Sequence, residues 1–150
     1  MPPAESISGT LRAGHGLDDL HVGSSRAEAM AYFGCEPSGE HAGGRILSYL
    51  GYGVVVRLDA AGYVEALTFG PSFRGDGLAF PPLELPAGLA WQMLMPDVRD
   101  LLGEPDAFTT GEVVEGSGRR HHVADWPGLR LTFDDQGRLI TVTVRAEHAE

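Results

Sequence analysis

The sequence contains a single cysteine, Cys35, and no lysine: all 11 basic residues are arginine. One thiol excludes an intramolecular disulfide and any zinc site built from several cysteines, and it is compatible with a reducing compartment. No run of about 18 apolar residues is present to span a bilayer. The opening Met1-Pro2-Pro3-Ala4-Glu5-Ser6 has neither the basic flank nor the apolar core of a secretory leader. A cytoplasmic location is therefore expected. Positive charge is also scarce. The formal net charge is −10, from 21 acids against 11 arginines, a field that repels nucleic acid and anionic lipid while speeding encounter with basic partners. The imbalance is uneven: residues 1–75 carry 8 acids and 5 arginines, whereas residues 76–150 carry 13 and 6. The second half is the acidic one.

With 150 residues, 43% of them hydrophobic, the chain can bury a core without covalent staples, as one domain or two small packed halves. Its 21 glycines and 10 prolines divide it into short elements joined by many turns, which favours strands over a long-helix bundle.

A unit of sequence occurs twice. Residues 25–34, Ser-Arg-Ala-Glu-Ala-Met-Ala-Tyr-Phe-Gly, align with residues 94–103, Leu-Met-Pro-Asp-Val-Arg-Asp-Leu-Leu-Gly. Ser25 and Glu28 have the spacing of a capping box, while Pro96 and Asp97 suit the first turn of a helix. Ala29, Tyr32 and Phe33 in one copy, and Val98, Leu101 and Leu102 in the other, are expected on a buried helical face. Gly34 and Gly103 stand where a left-handed cap belongs, each trailed by a proline, Pro37 or Pro105. Residues 53–64 likewise align with residues 128–139 as hairpins turning on Asp-x-x-Gly. Val54, Val56 and Leu58 correspond to Leu129, Leu131 and Phe133 on a core face, leaving Val55, Arg57, Arg130 and Thr132 on the other.

The expected fold class is α+β: two tandem repeats of a short helix followed by antiparallel strands, with the helices packed on one face of the sheets. A flexible tail covers 1–10. The first repeat covers 11–70, with a helix over 25–33 and strands over 45–50, 53–58 and 63–69. A connector over 71–88 holds a short edge strand at Leu83 to Leu85. The second repeat covers 89–145, with a helix over 96–102 and strands over 119–126, 129–134 and 138–144, before a tail over 146–150. The loops 36–44 and 111–118 differ between the copies.

On these residues the unit resembles the BamE/SmpA-type lipoprotein domain and the tandem-repeat β-lactamase inhibitory proteins, whose shared pattern is Gly-Met-Thr-x-x-Glu-Val-x-x-Leu-Leu-Gly-x-Pro followed by strands and an Asp-x-x-Gly hairpin. Gly23 to Ala29 with Tyr32-Phe33-Gly34 carry it in the first copy, and Asp97 to Pro105 in the second. Ala29 replaces the usual valine, Cys35 adds a residue before Pro37, and the second copy lacks the Gly-Met-Thr opening. The resemblance implies a protein-binding module of the kind found among enzyme inhibitors, envelope assembly factors and cytoplasmic proteins encoded beside bacterial toxins.

Residues with chemical potential each have a plain structural reading. Adjacent His121 and His122 point to opposite faces of a strand and cannot share a metal without a bulge. His15 and His21 flank Asp18 and Asp19 at no known metal-loop spacing. Cys35 at a helix C-terminus lacks the field that favours a thiolate. Ser117 between glycines has no strand-turn-helix elbow around it, and Gly51-Tyr52-Gly53 precedes a strand rather than a helix. Asp59 and Asp134-Asp135 sit in turns. No catalytic residue, metal or cofactor is expected.

The aromatic residues Tyr49, Tyr52, Tyr63 and Trp126 suit core packing and interface anchoring equally well. Arg57 and Arg130 lie on the outer sheet face, and the acids Asp97, Asp100, Glu104, Asp106, Glu112 and Glu115 read either as a solvated face or as a steering patch for a basic partner. The expected function is a non-enzymatic module that blocks a basic protein partner such as a bacterial toxin, bound through Tyr49, Tyr52, Tyr63, Arg57, Glu112, Glu115, Trp126 and Arg130. Two alternatives are a small-molecule-binding or small catalytic α+β domain, which needs a deep apolar cavity with convergent polar groups, and an envelope assembly module, which needs a lipobox cysteine in a context that Cys35 lacks.

Overall fold

The computed structural model describes residues 9–17, 20–34, 36–37, 39–49, 53–70, 72–74, 77–79, 83–113, 120–134 and 136–145. The chain begins with β1 (Gly9–Thr10) and α1 (Arg26–Phe33), followed by the strands β2 (Gly39–His41), β3 (Ile46–Tyr49), β4 (Val54–Leu58) and β5 (Val64–Phe69). The middle holds β6 (Ser72–Arg74), β7 (Gly77–Ala79) and β8 (Leu83–Glu84). After α2 (Met95–Leu102) come β9 (Ala107–Val113), β10 (Arg120–Trp126), β11 (Leu129–Phe133) and β12 (Leu139–Arg145).

Eight of these strands form one sheet in the order β2-β3-β4-β5-β12-β11-β10-β9, with every neighbouring pair antiparallel. This overturns the expected α+β arrangement of helices packed over the sheets: the fold is β-rich, a single antiparallel sheet with two short helices. The reason is dimensional. Eight strands span about 34 Å across the sheet, whereas two helices side by side cover roughly 20–24 Å. Each helix here has only eight residues. Loops supply the remaining cover, through Leu11, Leu17 and Leu20 from one and Leu83, Leu85 and Leu89 from the other, all in the same buried cluster as the sheet.

One sheet face is apolar by strict alternation. Val54, Val56 and Leu58 on β4, and Leu129, Leu131 and Phe133 on β11, are buried while the residues between them are not. Both following strands contribute the same spacing, Val64, Leu67 and Phe69 on β5 and Leu139, Val142 and Val144 on β12. The register slips by one residue at Arg57/Leu58 and at Thr132/Phe133, so a bulge beside each turn re-aims the strand and keeps both apolar sets on the core side.

The two turns are built alike. The Asp59 carboxylate accepts from the Ala61 and Tyr63 N–H groups at 2.9 and 3.0 Å, and the Asp134 carboxylate accepts from those of Gln136 and Arg138, both at 2.9 Å. Gly62 and Gly137, at φ +90° and +80°, make the reversal that a side chain would strain. The strand after each turn is clamped to the loop before a helix: Val64 N–H donates to the Ser24 carbonyl at 2.7 Å, and Leu139 N–H to that of Met93 at 2.9 Å. Gly16 lies so close to β5 that a Cβ there would come within 2.9 Å of Leu67 Cδ1.

In α1 the Ser25 hydroxyl accepts from the Glu28 N–H at 3.1 Å and the Glu28 carboxylate accepts from the Ser25 N–H at 2.8 Å. These bonds hold the Glu28 carboxyl below its ordinary pKa. Gly34 closes the helix in the left-handed region, φ 71° and ψ 16°. The second helix departs from this plan. It has no side-chain cap, and Gly103 at φ 82° and ψ −168° is not a left-handed cap; the backbone is extended there in a way open essentially to glycine alone, which turns the chain into β9. Only Val98 of α2 is buried, and Leu101, expected on the buried face, is exposed. The edge strand expected at Leu83 to Leu85 is β8, which pairs in parallel with β1 outside the main sheet.

Partial burial raises the pKa of the Asp134 carboxyl, but the Arg138 and Gln136 N–H groups and the Arg138 guanidinium at 2.8 Å outweigh it, and the net direction is down. A carboxyl depressed in the folded state stabilises the fold fully above its unfolded value of about 3.9, and that contribution disappears as pH falls through the lower folded value. Asp134→Ala is expected to cost about 1–3 kcal/mol at neutral pH. Thermal melts of both proteins from neutral to strongly acidic pH should converge only below the ordinary aspartate range; a gap that persists unchanged at the acid end contradicts the assignment.

Candidate functional site

The outer face of the sheet is polar and largely self-neutralised. Across the strands the pairing places Ser48, Val55, Thr68, Thr143, Arg130 and Asp125 in one row. The Thr68 and Thr143 hydroxyls are 3.0 Å apart. Arg130 donates to both carboxylate oxygens of Asp125, at 2.7 and 3.2 Å, and Arg145 donates to one of them at 3.1 Å. The bond it donates to Asp125 raises the Arg130 pKa against the opposing effect of burial. Arg57 pairs with Glu65 at 3.1 Å, but that pair is open to solvent and contributes little.

The residues expected to bind a partner are scattered by the fold. Tyr49 is 2% exposed, and its ring stacks on Phe33 with centroids 3.8 Å apart. It belongs to the core, because β3 points it to the same face as Leu47. Trp126 is 7% exposed and donates its indole N–H to the Gly103 carbonyl at 3.2 Å; it pins the loop after α2 to β10. Both placements have one cause: an aromatic residue at a strand end has the same sequence signature whether it is capped by a neighbouring element or left open. Tyr63 is 50% exposed beside the first hairpin turn. Arg57 and Arg130 lie on the outer face, Glu112 lies on β9, and Tyr52 and Glu115 fall outside the described residues.

The structure instead gathers exposed groups at the α2–β9 end of the sheet. Phe108 is 42% exposed, although β9 directs it to the core side opposite Ala124. The apolar cover ends before this edge. The Arg99 guanidinium lies 5.5 Å from the Phe108 ring centroid, within cation–π range, and the His122 ring lies parallel to it at 6.2 Å. His122 Nδ1 is buried without a partner among the described residues. Leu94 and Leu101 are also exposed, one near each end of α2.

Charge is distributed in the same way. Glu28 belongs to a capping box, Glu40 pairs with Arg26, Glu65 with Arg57, Asp125 with two arginines and Asp134 with its turn. The exposed Asp97, Asp100, Glu104 and Asp106, on α2 and the loop leading to β9, have no ion-pair partner among the described residues. Phe108 carried a sequence signal that was missed: strand-forming Ala107 to Thr110 has no charge of its own and sits between acidic residues.

An open groove of about 620 Å³ lies elsewhere, lined by Thr10, Leu11, Arg12, Leu83 to Ala90 and Trp91. Its Thr10 hydroxyl donates to Glu84 at 3.1 Å. The His15 and His21 rings stack at 4.8 Å, while Asp18 and Asp19 between them, Cys35, Asp135 and Ser117 fall outside the described residues. The register slip between His121 and His122 sets Gly111 of β9 as the extra residue. Among the described residues no three His, Cys, Asp or Glu side chains are grouped to hold a metal, and no helix is long and apolar enough to cross a membrane. No protein-family model matches the chain, and no curated protein or solved structure matches it. The likeness to tandem-repeat inhibitory proteins thus rests on the motif residues alone.

Asp125, only 16% exposed in its side chain, is the acceptor shared by two arginines. Asp125→Ala leaves both guanidiniums without their acceptor and is expected to cost about 1–3 kcal/mol. Arg130→Ala should cost less than about 1 kcal/mol because Arg145 remains. Urea unfolding of the two variants checks the order, and equal losses would contradict the shared-acceptor geometry.

Proposed function

We propose that the chain is a non-enzymatic protein-binding module that covers a functional surface of a basic partner, in the manner of a cytoplasmic inhibitor or immunity protein. The observation that carries this reading is the set of exposed acids without ion-pair partners, Asp97, Asp100, Glu104 and Asp106, beside the exposed Phe108. Elsewhere the described carboxylates on the sheet face and at the hairpin turn are occupied by arginines or by turn amides. An aromatic anchor bordered by charge of one sign suits capture of a partner of the other sign, with the charges governing encounter and the ring governing residence.

Among the described side chains, the outer face of the sheet, by contrast, pairs its own charges and offers a partner little electrostatic gain. The 620 Å³ groove is open rather than deep, and the Thr10 hydroxyl in it is turned to Glu84 of its own wall. Neither favours the small-molecule reading.

The test is affinity capture from a lysate of the encoding organism, with wild type compared against a variant carrying Asp97→Arg, Asp100→Arg and Glu104→Arg. The wild type should retain a basic protein at low ionic strength, release it as salt rises, and suppress its activity in the purified complex; the variant should retain at least about tenfold less. Retention unaffected by the charge reversals, or a complex in which the captured protein is fully active, overturns the proposal.

A further inference from the structure

The sheet has two edges, and they differ in how they are guarded. At one edge β2 is three residues long, and its Glu40 is tied to Arg26 at 2.6 Å. Shortness and a fixed charge are ordinary defences against further strand pairing. At the other edge β9 is seven residues long and, among the described residues, pairs only with β10. Its residues from Ala107 to Gly111 contain no charge and no proline, and Ala107, Phe108 and Thr109 are exposed. The bulge at Gly111 interrupts the ladder, so the regular open edge is Ala107 to Thr110. Alternate residues there direct their N–H and C=O groups away from β10 toward any incoming strand.

What would pair with this edge is constrained by charge. Glu104 and Asp106 precede it and Glu112 follows it; from Asp106 to Glu112 is roughly 20 Å along a strand. A second copy would bring another net −10 against the first, which disfavours self-pairing. An extended segment with arginine or lysine at both ends and β-forming residues between them meets both the backbone edge and the flanking acids. Phe108 on the core side offers that segment an apolar contact.

Resting on the protein-binding reading above, we infer that the β9 edge over Ala107 to Thr110 takes an extended, basic-flanked segment of the partner as a ninth strand of the sheet. The backbone supplies the pairing, the acids select the flanks, and Phe108 accepts one side chain of the added strand.

The test uses the whole protein and a dye-labelled peptide, a core of alternating valine and threonine flanked by arginine pairs, followed by fluorescence anisotropy at low ionic strength. A second peptide of the same sequence carries N-methyl groups along the core, which removes the strand-forming donors and keeps the charge. The first peptide should bind and the N-methylated one at least about tenfold more weakly. Phe108→Glu should weaken the first peptide by a similar factor, with amide NMR shifts in wild type confined to β9 and its flanks. Equal binding of the two peptides shows that charge alone acts and overturns strand addition, as does no binding of the first. If the peptide fails while the full partner is still captured in a charge-dependent way, strand addition falls and the protein-binding reading stands; if both fail, both fall.

Discussion

The pairing of β5 with β12 is the constraint on which the rest of the molecule depends. Phe69, Thr68, Leu67 and Ala66 face Val142, Thr143, Val144 and Arg145 across it, and it is the only ladder joining the first half of the main sheet to the second among the described residues. The four strands on either side share one apolar cluster across it, running from Leu47 to Trp126. The seam also aligns the covering loops. Gly16 packs on Leu67, and Gly14 N–H reaches across to the Gly128 carbonyl at 3.0 Å, so the loop of the first half closes over strands of both.

Fixing the seam fixes the two faces and the two edges. Once β5 and β12 are in register, alternation sends Val142 and Val144 inward and Thr143 outward, which brings Arg130 and Arg145 to a common Asp125. The outer face thereby neutralises itself. The edges fall at β2 and β9, far from the seam, where the covering loops and helices run out. Phe108 is exposed for that reason: it points to the core side of a strand that lies beyond the cover. Its exposure, the open backbone and the uncompensated acids of α2 are all consequences of where the sheet ends.

The parts legible in the sequence were those decided locally. Ser25 and Glu28 cap a helix because their side chains reach backbone groups three residues away, and Asp59 and Asp134 define turns because each carboxylate bonds amides two and four residues on. Alternation along 54–58 and 129–133 marks one face as buried because period two is a property of the strand itself. Illegible were the elements decided by distant partners. Gly39 to His41 becomes a strand only because Ile46 to Ser48 lies beside it, and Ala107 to Val113 only because β10 does; missing both edge strands left six expected strands where the sheet has eight and supported the overturned α+β assignment. Leu101 has helical spacing yet stands exposed, because α2 turns only Val98 fully into the core. Tyr49 and Trp126 were indistinguishable in sequence from exposed anchors, since what buries them comes from Phe33 and the loop at Gly103.

Native-state hydrogen exchange across the seam tests most directly the central claim that one continuous sheet holds both halves. Amides that are hydrogen-bonded between β5 and β12 should exchange only through global unfolding, with the same free energy and the same denaturant dependence as the most protected amides of β4 and β11. If the seam amides exchange by a lower-energy opening while β4 or β11 remains protected, the halves are independent and the account is contradicted.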